Sequence, residues 1–425
     1  MISAPVQANL IVDAAAAFQP GYAVDFRCIG PACEDSCCQG WDVRLDEATY
    51  TKYLSMPPGP LPDRIRQSLV LITDGQTPRN YAGIRLDAGR ACPFLDTDRL
   101  CEIQKGYGPE YLSSVCAQYP RSRQTIEGEM EETLLPSCPE AARMVLLHPR
   151  LLPEGVSGSY QEFQERAEAL PATGKSLMAY FWTIRRFALM LLVDRSYELW
   201  ERIFLLGTLA MRLEAIAGQG QWGQTPKVLR DYAGLAAAGS LRPAMAGVQK
   251  QPLLQLSTIL SLLMERLRMG RPSSRFLDCL QAFTDGIGYT DGARTESLVP
   301  AYRHAFSTAY LPWREENQSV LENYLVNAAL IRLFPLGPGG PEQGLQPGRE
   351  ALRLAIHYGL IQGILIGAAG GSSSDFSTPD AIRIIQSFAK TFEHSHGYLD
   401  RFLDALERKG LKNAQGIAAL AGDPA

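Results

Sequence analysis

The segment SLMAYFWTIRRFALMLLVDRSYELWERIFLLGTLAMRLEAIA (176–217) decides the fold class. Its apolar residues recur at helical spacing over a length no strand reaches, and a break near Asp194 divides it into two helices. Toward the C-terminus the same texture continues over 226–238, 252–269, 275–285, 296–311, 316–334, 348–367, 378–394 and 397–408. Proline and glycine punctuate these patterns, and FPLGPGGPEQGLQPG (334–348) and GAAGGSSSDFSTPD (367–380) read as loops. Nothing in 155–425 alternates for long like a half-buried sheet, and there is no internal repeat or heptad array. The glycines of GILIGAAGG (363–371) lack the spacing of a nucleotide-binding loop, so this stretch reads as a helix end running into a flexible loop.

Toward the N-terminus the texture changes. Residues 1–150 are turn-rich, as in SMPPGPLP (55–62) and TDGQTPRN (73–80), and hold few stretches long enough for a helix. They also hold eight of the nine cysteines: Cys28, Cys33, Cys37, Cys38, Cys92, Cys101, Cys116 and Cys138. These eight lie within residues 28–138, where an even scatter would place about two. The expected architecture is therefore mainly α, with an irregular, cysteine-rich, metal-binding N-terminal module (1–150) packed on a larger all-helical domain (151–425).

The chain has 425 residues, 46% of them hydrophobic, with 41 Lys plus Arg against 45 Asp plus Glu. That is the balance of a globular protein and excludes disordered and collagen-like classes. The net charge of −4, with no basic half, argues against a nucleic-acid partner. MISAPVQANLIVDAAAAFQPGY (1–22) has no Lys or Arg before its apolar stretch, which Asp13 interrupts, so it does not read as a secretory signal. No run reaches the ~18 apolar residues of a spanning helix; Arg185 and Arg186 split the best candidate. A cytoplasmic protein without a membrane span is expected, and in a reducing compartment clustered cysteines suit metal ligation better than disulfides.

The cysteine string is Cys28-x4-Cys33-x3-Cys37-Cys38, then Cys92-x8-Cys101-x14-Cys116-x21-Cys138. Thiolates select zinc, copper(I) or iron–sulfur clusters. No histidine falls between residues 28 and 138, so mixed Cys/His zinc sites are disfavoured there. The spacing matches neither paired CxxC knuckles nor ferredoxin runs. Two four-cysteine zinc centres and one four-iron cluster with spare cysteines both remain open.

FRCIGPACEDSCCQGWDVRLDEATYTKY (26–53) resembles the opening signature of the flagellin lysine-N-methylase family, and CPFLDTDRLCEIQKGYGPEYLSSVCAQYPR (92–121) resembles the second half of its cysteine-rich module. That module is also similar to a broader group of zinc- or iron-chelating domains. LENYLVNAALIRLFPLG (321–337) and DAIRIIQSFAKTFEHSHGYLDRFL (380–403) resemble the family's C-terminal helical signatures. One departure is QKGYGPEYLSSVC (104–116), which lacks the aromatic-x-x-Arg-Pro found before the cysteine in the chelating group. The resemblance implies methyl transfer from S-adenosylmethionine to surface lysine amines of flagellin, with a [4Fe–4S] cluster, or zinc in its place, held among the eight cysteines. The competing reading is a non-catalytic zinc-binding interaction module.

Lysine methylation sets chemical demands. With a pKa near 10.4, the amine is protonated at neutral pH and has no lone pair to attack a sulfonium methyl. A carboxylate, tyrosine or water path must take the proton. The transfer itself can be a polar displacement without radicals; the radical-type CxxxCxxC triad is absent, although CxxxCC (33–38) is close enough to it to keep an open-iron role for bound S-adenosylmethionine in play.

Within the family-like stretches Tyr324 is the candidate catalytic residue, since Glu322, Asn323 and Tyr324 point in different directions on one helix. Asp35, Trp41 and Arg121 are candidates for holding the cofactor. Asp35 equally suits an exposed turn, Trp41 and Tyr50 core packing, and Arg121 and Arg123 exposed surface. Glu393, His394 and His396 do not form HExxH and read as helix-end polar residues. Cys279 reads as buried packing.

Overall fold

The computed structural model describes residues 20–40, 43–152, 156, 158–270, 272–337, 345–371, 376–394 and 397–424. In the N-terminal third a short helix α1 (Gly21–Asp25) precedes the cysteine loop. A small sheet follows, built from β1 (Arg44–Leu45), β2 (Leu69–Leu71) and β3 (Ala82–Ile84), with helices α2 (Glu47–Leu54) and α3 (Pro60–Ser68) between β1 and β2. The strand order is β1-β3-β2, all antiparallel, with Leu45 opposite Ala82 and Leu69 opposite Ile84. Short helices α4 (Glu102–Tyr107) and α5 (Ser114–Gln118) lead into a hairpin of β4 (Arg121–Ile126) and β5 (Glu129–Leu134), and then α6 (Pro139–Leu146). The sequence pattern missed this hairpin. Its two-residue turn, Glu127-Gly128, has φ of 52° and 88°, the left-handed pair that matches strand twist in tight hairpins.

The rest is helical: α7 (Tyr160–Glu168), α8 (Phe181–Val193), α9 (Leu199–Gly218), α10 (Thr225–Ala237), α11 (Arg242–Ala246), α12 (Pro252–Arg268), α13 (Ser274–Gly286) and α14 (Thr295–Ala305). After a π-helical turn (Phe306–Tyr310) come α15 (Leu311–Glu316), α16 (Gln318–Ile331), α17 (Pro347–Gly371) and α18 (Thr378–Phe388), which runs into a second π-helical turn (Ala389–Glu393). Helices α19 (Tyr398–Arg408) and α20 (Ala414–Ala421) close the chain. The expected break at Asp194 is present, because Asp194 caps the C-terminal end of α8. The mainly α class stands as expected.

Packing separates a small core from a large one. Val43, Leu45, Tyr53, Ile65, Phe94 and Ile103 form the small core, with Cys92 buried in it and Cys38, Cys101 and Cys116 packed against it. The large core centres on α17, whose residues 350–369 are all buried, so this mainly apolar helix is enclosed on every side. By length and composition α17 could cross a membrane, but it lies inside the protein. Tyr22, Phe26, Leu134 and Ala141, from the N-terminal third, also belong to the large core.

The reading of GILIGAAGG as a helix end entering a loop is corrected, since α17 continues through Gly371. Gly359, Gly363, Gly367 and Gly371 recur every four residues and form one ridge. A Cβ at Gly363 would overlap Ile259, one at Gly367 would overlap Phe283, and one at Gly286 on α13 would overlap the Gly367 carbonyl. These glycines serve close helix approach rather than flexibility.

Candidate active site at the junction of the cysteine loop and the helical core

The end of α18 and its π-helical turn join the cysteine loop to the helical core. Gln386 donates from Nε2 to Asp35 Oδ2 at 2.8 Å and to the Ser137 carbonyl at 2.7 Å. One turn on, Lys390 Nζ donates to Asp35 Oδ1 at 2.7 Å and to the Ser36 carbonyl at 2.9 Å. The Lys390 and Asp35 side chains are only 6% and 10% exposed, so this is a buried ion pair. His394 Nε2 meets Ser137 Oγ at 2.8 Å, and Tyr119 meets the same hydroxyl at 3.1 Å. A π-helical turn breaks the regular i→i−4 ladder, a departure frequent at functional sites. Here the turn sends Lys390 to the cysteine loop and Glu393 to the helical core.

In that core, Tyr324 on α16 donates its hydroxyl to Glu393 Oε1 at 2.7 Å and meets His357 Nδ1 on α17 at 3.0 Å. A phenol has one proton. With that proton on Glu393, the second bond requires Nδ1 to carry the imidazole hydrogen, which leaves Nε2 as an acceptor. Nε2 is buried and has no hydrogen-bond partner. Burial, reinforced by Arg332 and Arg353, holds His357 well below the usual histidine range, so it is neutral. Burial, with the Glu393 charge adding to it, raises Tyr324 well above the usual phenol range. Burial likewise raises Glu393, against the lowering effects of the Tyr324 hydrogen bond and Arg332. The nearby cations are otherwise engaged: Arg332 grips Glu350 through two bonds of 2.7 and 3.1 Å, and Arg353 pairs with Glu350 and Asp400.

The structure brings Tyr324 to this centre and directs its neighbours elsewhere. Glu322 pairs with Arg195 and Arg202, and Asn323 donates to the carbonyls of Leu146 and His148. Asp35 is committed to Lys390 and Gln386. Arg121 reaches the Phe26 carbonyl at 3.1 Å, lies over the Phe26 ring and pairs with Glu132, as Arg123 also does. Tyr50 packs on Tyr81 in the cysteine module, and Cys279 is buried in α13. Trp41 and His396 lie outside the described residues. Glu393 ends the π-helical turn, as expected of a helix-end residue, and its carboxylate also accepts from a buried phenol. The pattern gave no prominence to His357 or Lys390; the usable signal was, for His357, its place among the few polar side chains of a mainly apolar helix, and for Lys390 its i,i+4 spacing from Gln386.

None of the nine cysteines is in a disulfide. Cys92 and Cys116 lie within electrostatic reach of each other, of Cys101 and of the Cys37–Cys38 pair, while Cys138 lies within reach of Cys33 and Cys37. Burial pushes Cys92 up to about 11 and Cys116 and Cys138 up to about 12. The Cys37 thiol is held down to about 7, chiefly by a hydrogen bond from Cys38 and partly by Lys390. Among the described residues, no group of three or more Cys, His, Asp or Glu is arranged to hold a single metal ion. One zinc draws its four thiolates to ~2.3 Å. Four of the thiols gather on or in one small core, and an all-sulfur donor set fits both a four-thiolate zinc and an iron–sulfur cluster. Glu393 is a carboxylate with no cation paired to it among the described residues, so its surroundings suit a cationic group beside it. A groove of about 80 Å³ lined by Trp200, Met245, Gln255 and Asp423 shares no residue with the Tyr324 centre.

Residues 185–420 match the model of the FliB lysine N-methylase C-terminal domain, more than half of the chain. The chain belongs to this family. The flagellar biosynthetic protein FliU of Salmonella muenchen is 32% identical over 143 residues, covering 33% of this chain and 83% of that protein. The lysine-N-methylases of Salmonella choleraesuis and Salmonella typhimurium are each 31% identical over 160 residues, 37% of this chain. The match spans 39% of the length of each of those two relatives. No solved structure matches. The family match contains Tyr324, His357 and Glu393, whereas the cysteine loop lies outside it.

Proposed function

We propose that the protein is a lysine N-methyltransferase that takes methyl groups from S-adenosylmethionine and places them on surface lysines of flagellin in the cytoplasm, with neither a nucleic-acid partner nor a membrane span. The observation that carries this reading is the family match over 185–420, which encloses the one buried phenol–carboxylate–imidazole centre described above. The flagellar name of the Salmonella muenchen relative supports the choice of substrate. S-adenosylmethionine would supply an electrophilic methyl on a sulfonium. The chain's own task is to bind the lysine, exclude water and remove its proton, a set of effects that positioning and general-base catalysis provide.

In this reading Cys38, Cys92, Cys101 and Cys116, which share the small core, hold a [4Fe–4S] cluster that organises the module. Incubation of the purified protein with flagellin and labelled S-adenosylmethionine tests the activity; label on flagellin lysines is the expected result, and none with the metal centre intact would refute it. Anaerobic purification with iron, sulfide and visible-spectrum analysis tests the centre. Brown protein with about four irons and four sulfides per chain is expected. Colourless protein with stoichiometric zinc would favour an interaction module instead.

A further inference from the structure

We propose that Glu393 is the base that takes the proton from the substrate ammonium, with Tyr324 and His357 as positioning groups behind it. This rests on the methyl-transfer reading and names the residue that makes the amine reactive. Three observations carry it. The three side chains form a compact triangle with one open corner, because Tyr324 is 1% exposed and His357 3%, whereas the Glu393 side chain keeps 18%. The carboxylate is thus the corner that an incoming lysine can reach. Second, Glu393 has no cation paired with it among the described residues. Its nearest nitrogen of that kind is the neutral His357 Nδ1 at 3.9 Å. A mostly buried carboxylate lacking a counter-ion suits a cationic ligand, and the substrate ammonium is one. Third, the groups behind it are fixed: the phenol has a single proton to give and gives it to Glu393, and the imidazole supports the phenol through Nδ1.

The charged and titratable groups around Glu393 come from each packed element. They are Tyr324 on α16, Arg332 just beyond it, and Glu350, Arg353 and His357 on α17. Lys390 and His394 flank it in sequence and are held by Asp35 and Ser137. Asp400 on α19 is held by Arg353. Arg332 is the cation whose charge Glu393 feels, and it is bound to Glu350. None of these takes the place of the substrate.

The step balances. The ammonium transfers one proton to a Glu393 carboxylate oxygen, leaving a neutral amine and a carboxylic acid. The freed nitrogen lone pair forms the new N–C bond as the methyl C–S bond breaks, and that bonding pair passes to sulfur, giving a neutral thioether. The product nitrogen carries the positive charge, and Glu393 releases its proton to solvent.

The test uses the full chain with flagellin, comparing wild type, E393Q and Y324F in single-turnover methyl transfer across pH 5–10. General-base catalysis contributes ~10²–10⁴-fold, so E393Q is expected to be at least about 100-fold slower at pH 7. Its residual rate should climb about tenfold per pH unit toward the lysine pKa near 10.4, as solvent replaces the base. Y324F removes the hydrogen bond that steadies the carboxylate, so it should keep the high-pH rate while its acid limb moves upward. A purely structural tyrosine would leave that limb in place. Difference infrared titration of the protein alone gives a second readout: a carboxyl band that moves upward in Y324F and is lost in E393Q. Wild-type transfer with E393Q within about threefold of it, or a carboxyl band that survives in E393Q, would overturn the assignment while sparing the methyltransferase reading. Wild type that transfers no methyl group would remove both. If E393Q lost its iron or its helical signal, Y324F would decide by the shift or constancy of its acid limb.

Discussion

Replacing Lys390 by methionine removes the cation from the buried pair that ties the α18 π-helical turn to the cysteine loop. Asp35 then keeps one hydrogen bond, from Gln386, and a buried charge with no counter-ion. Breaking one side of such a pair costs about 3–5 kcal/mol, because the remaining charge is left desolvated. Replacing both partners with apolar residues, as in D35L/K390M, removes that charge as well and is expected to return to within about 1–2 kcal/mol of wild type. The two changes should therefore be far from additive, with a coupling of at least about 2 kcal/mol. Urea unfolding followed by near-ultraviolet circular dichroism is a suitable assay, and the transition that releases the cysteine module is the one to follow. With a slope of about 2 kcal/mol per molar, the K390M midpoint should fall by about 1.5–2.5 M and the double variant should recover most of it. A fall below about 0.5 M in K390M, or a double variant no better than the sum of its parts, would refute the claim that this pair holds the junction.

Other outcomes follow from the same geometry. Gly286→Ala places a methyl group against the Gly367 carbonyl and should cost at least about 1–3 kcal/mol, read as a lower melting temperature. Gly218→Ala, in open space at the end of α9, is the matching control and should be neutral or slightly stabilising. His357 is neutral when folded and ordinary when unfolded, so the unfolded chain binds the extra proton below about pH 6.5. Stability should then rise with pH up to that point, at about 1.4 kcal/mol per unit from this residue. Glu393 has the opposite sign: its raised carboxyl lowers stability as pH climbs above about 4.5, so E393Q should be relatively more stable at neutral pH. Comparing urea midpoints across pH for wild type, H357F and E393Q separates the two slopes. Serine at Cys92, Cys101 or Cys116 should strip the iron while C279S retains it; equal iron in all four would show that the ligands are other cysteines.

The helices were legible because each buries an apolar stripe at its own period, and the interval near Asp194 carried a breaker that the chain obeys. Two features escaped the same reasoning. The ridge Gly359–Gly363–Gly367–Gly371 looks like a flexible end when glycine is weighed by propensity alone; only its partners on α12, α13 and α20 show that it is a contact surface. The β4–β5 hairpin was masked because its strands, RSRQTI and EMEETL, are largely polar and charged, and their ladder is held by backbone bonds and by pairs such as Arg123 with Glu132. The candidate site was half visible. Tyr324 stands on a family-like helix, but Glu393 and His357 join it only through contacts 69 and 33 residues away in sequence, which no local periodicity encodes. Asp35 was noticed for its place between cysteines, while its partner Lys390 lies 355 residues further on.

The way Tyr22, Phe26, Leu134 and Ala141 enter the large core has a consequence for where the protein can be divided. The stretch that carries the family likeness begins at residue 185, yet that stretch does not enclose its own interior. Tyr22 bonds Asn327 on α16, and the Leu134 carbonyl accepts from the same amide, so the family-like portion leans on walls supplied from upstream. The unit of ancestry and the unit of folding have different edges in this chain, and a cut that respects the first would lay open the second.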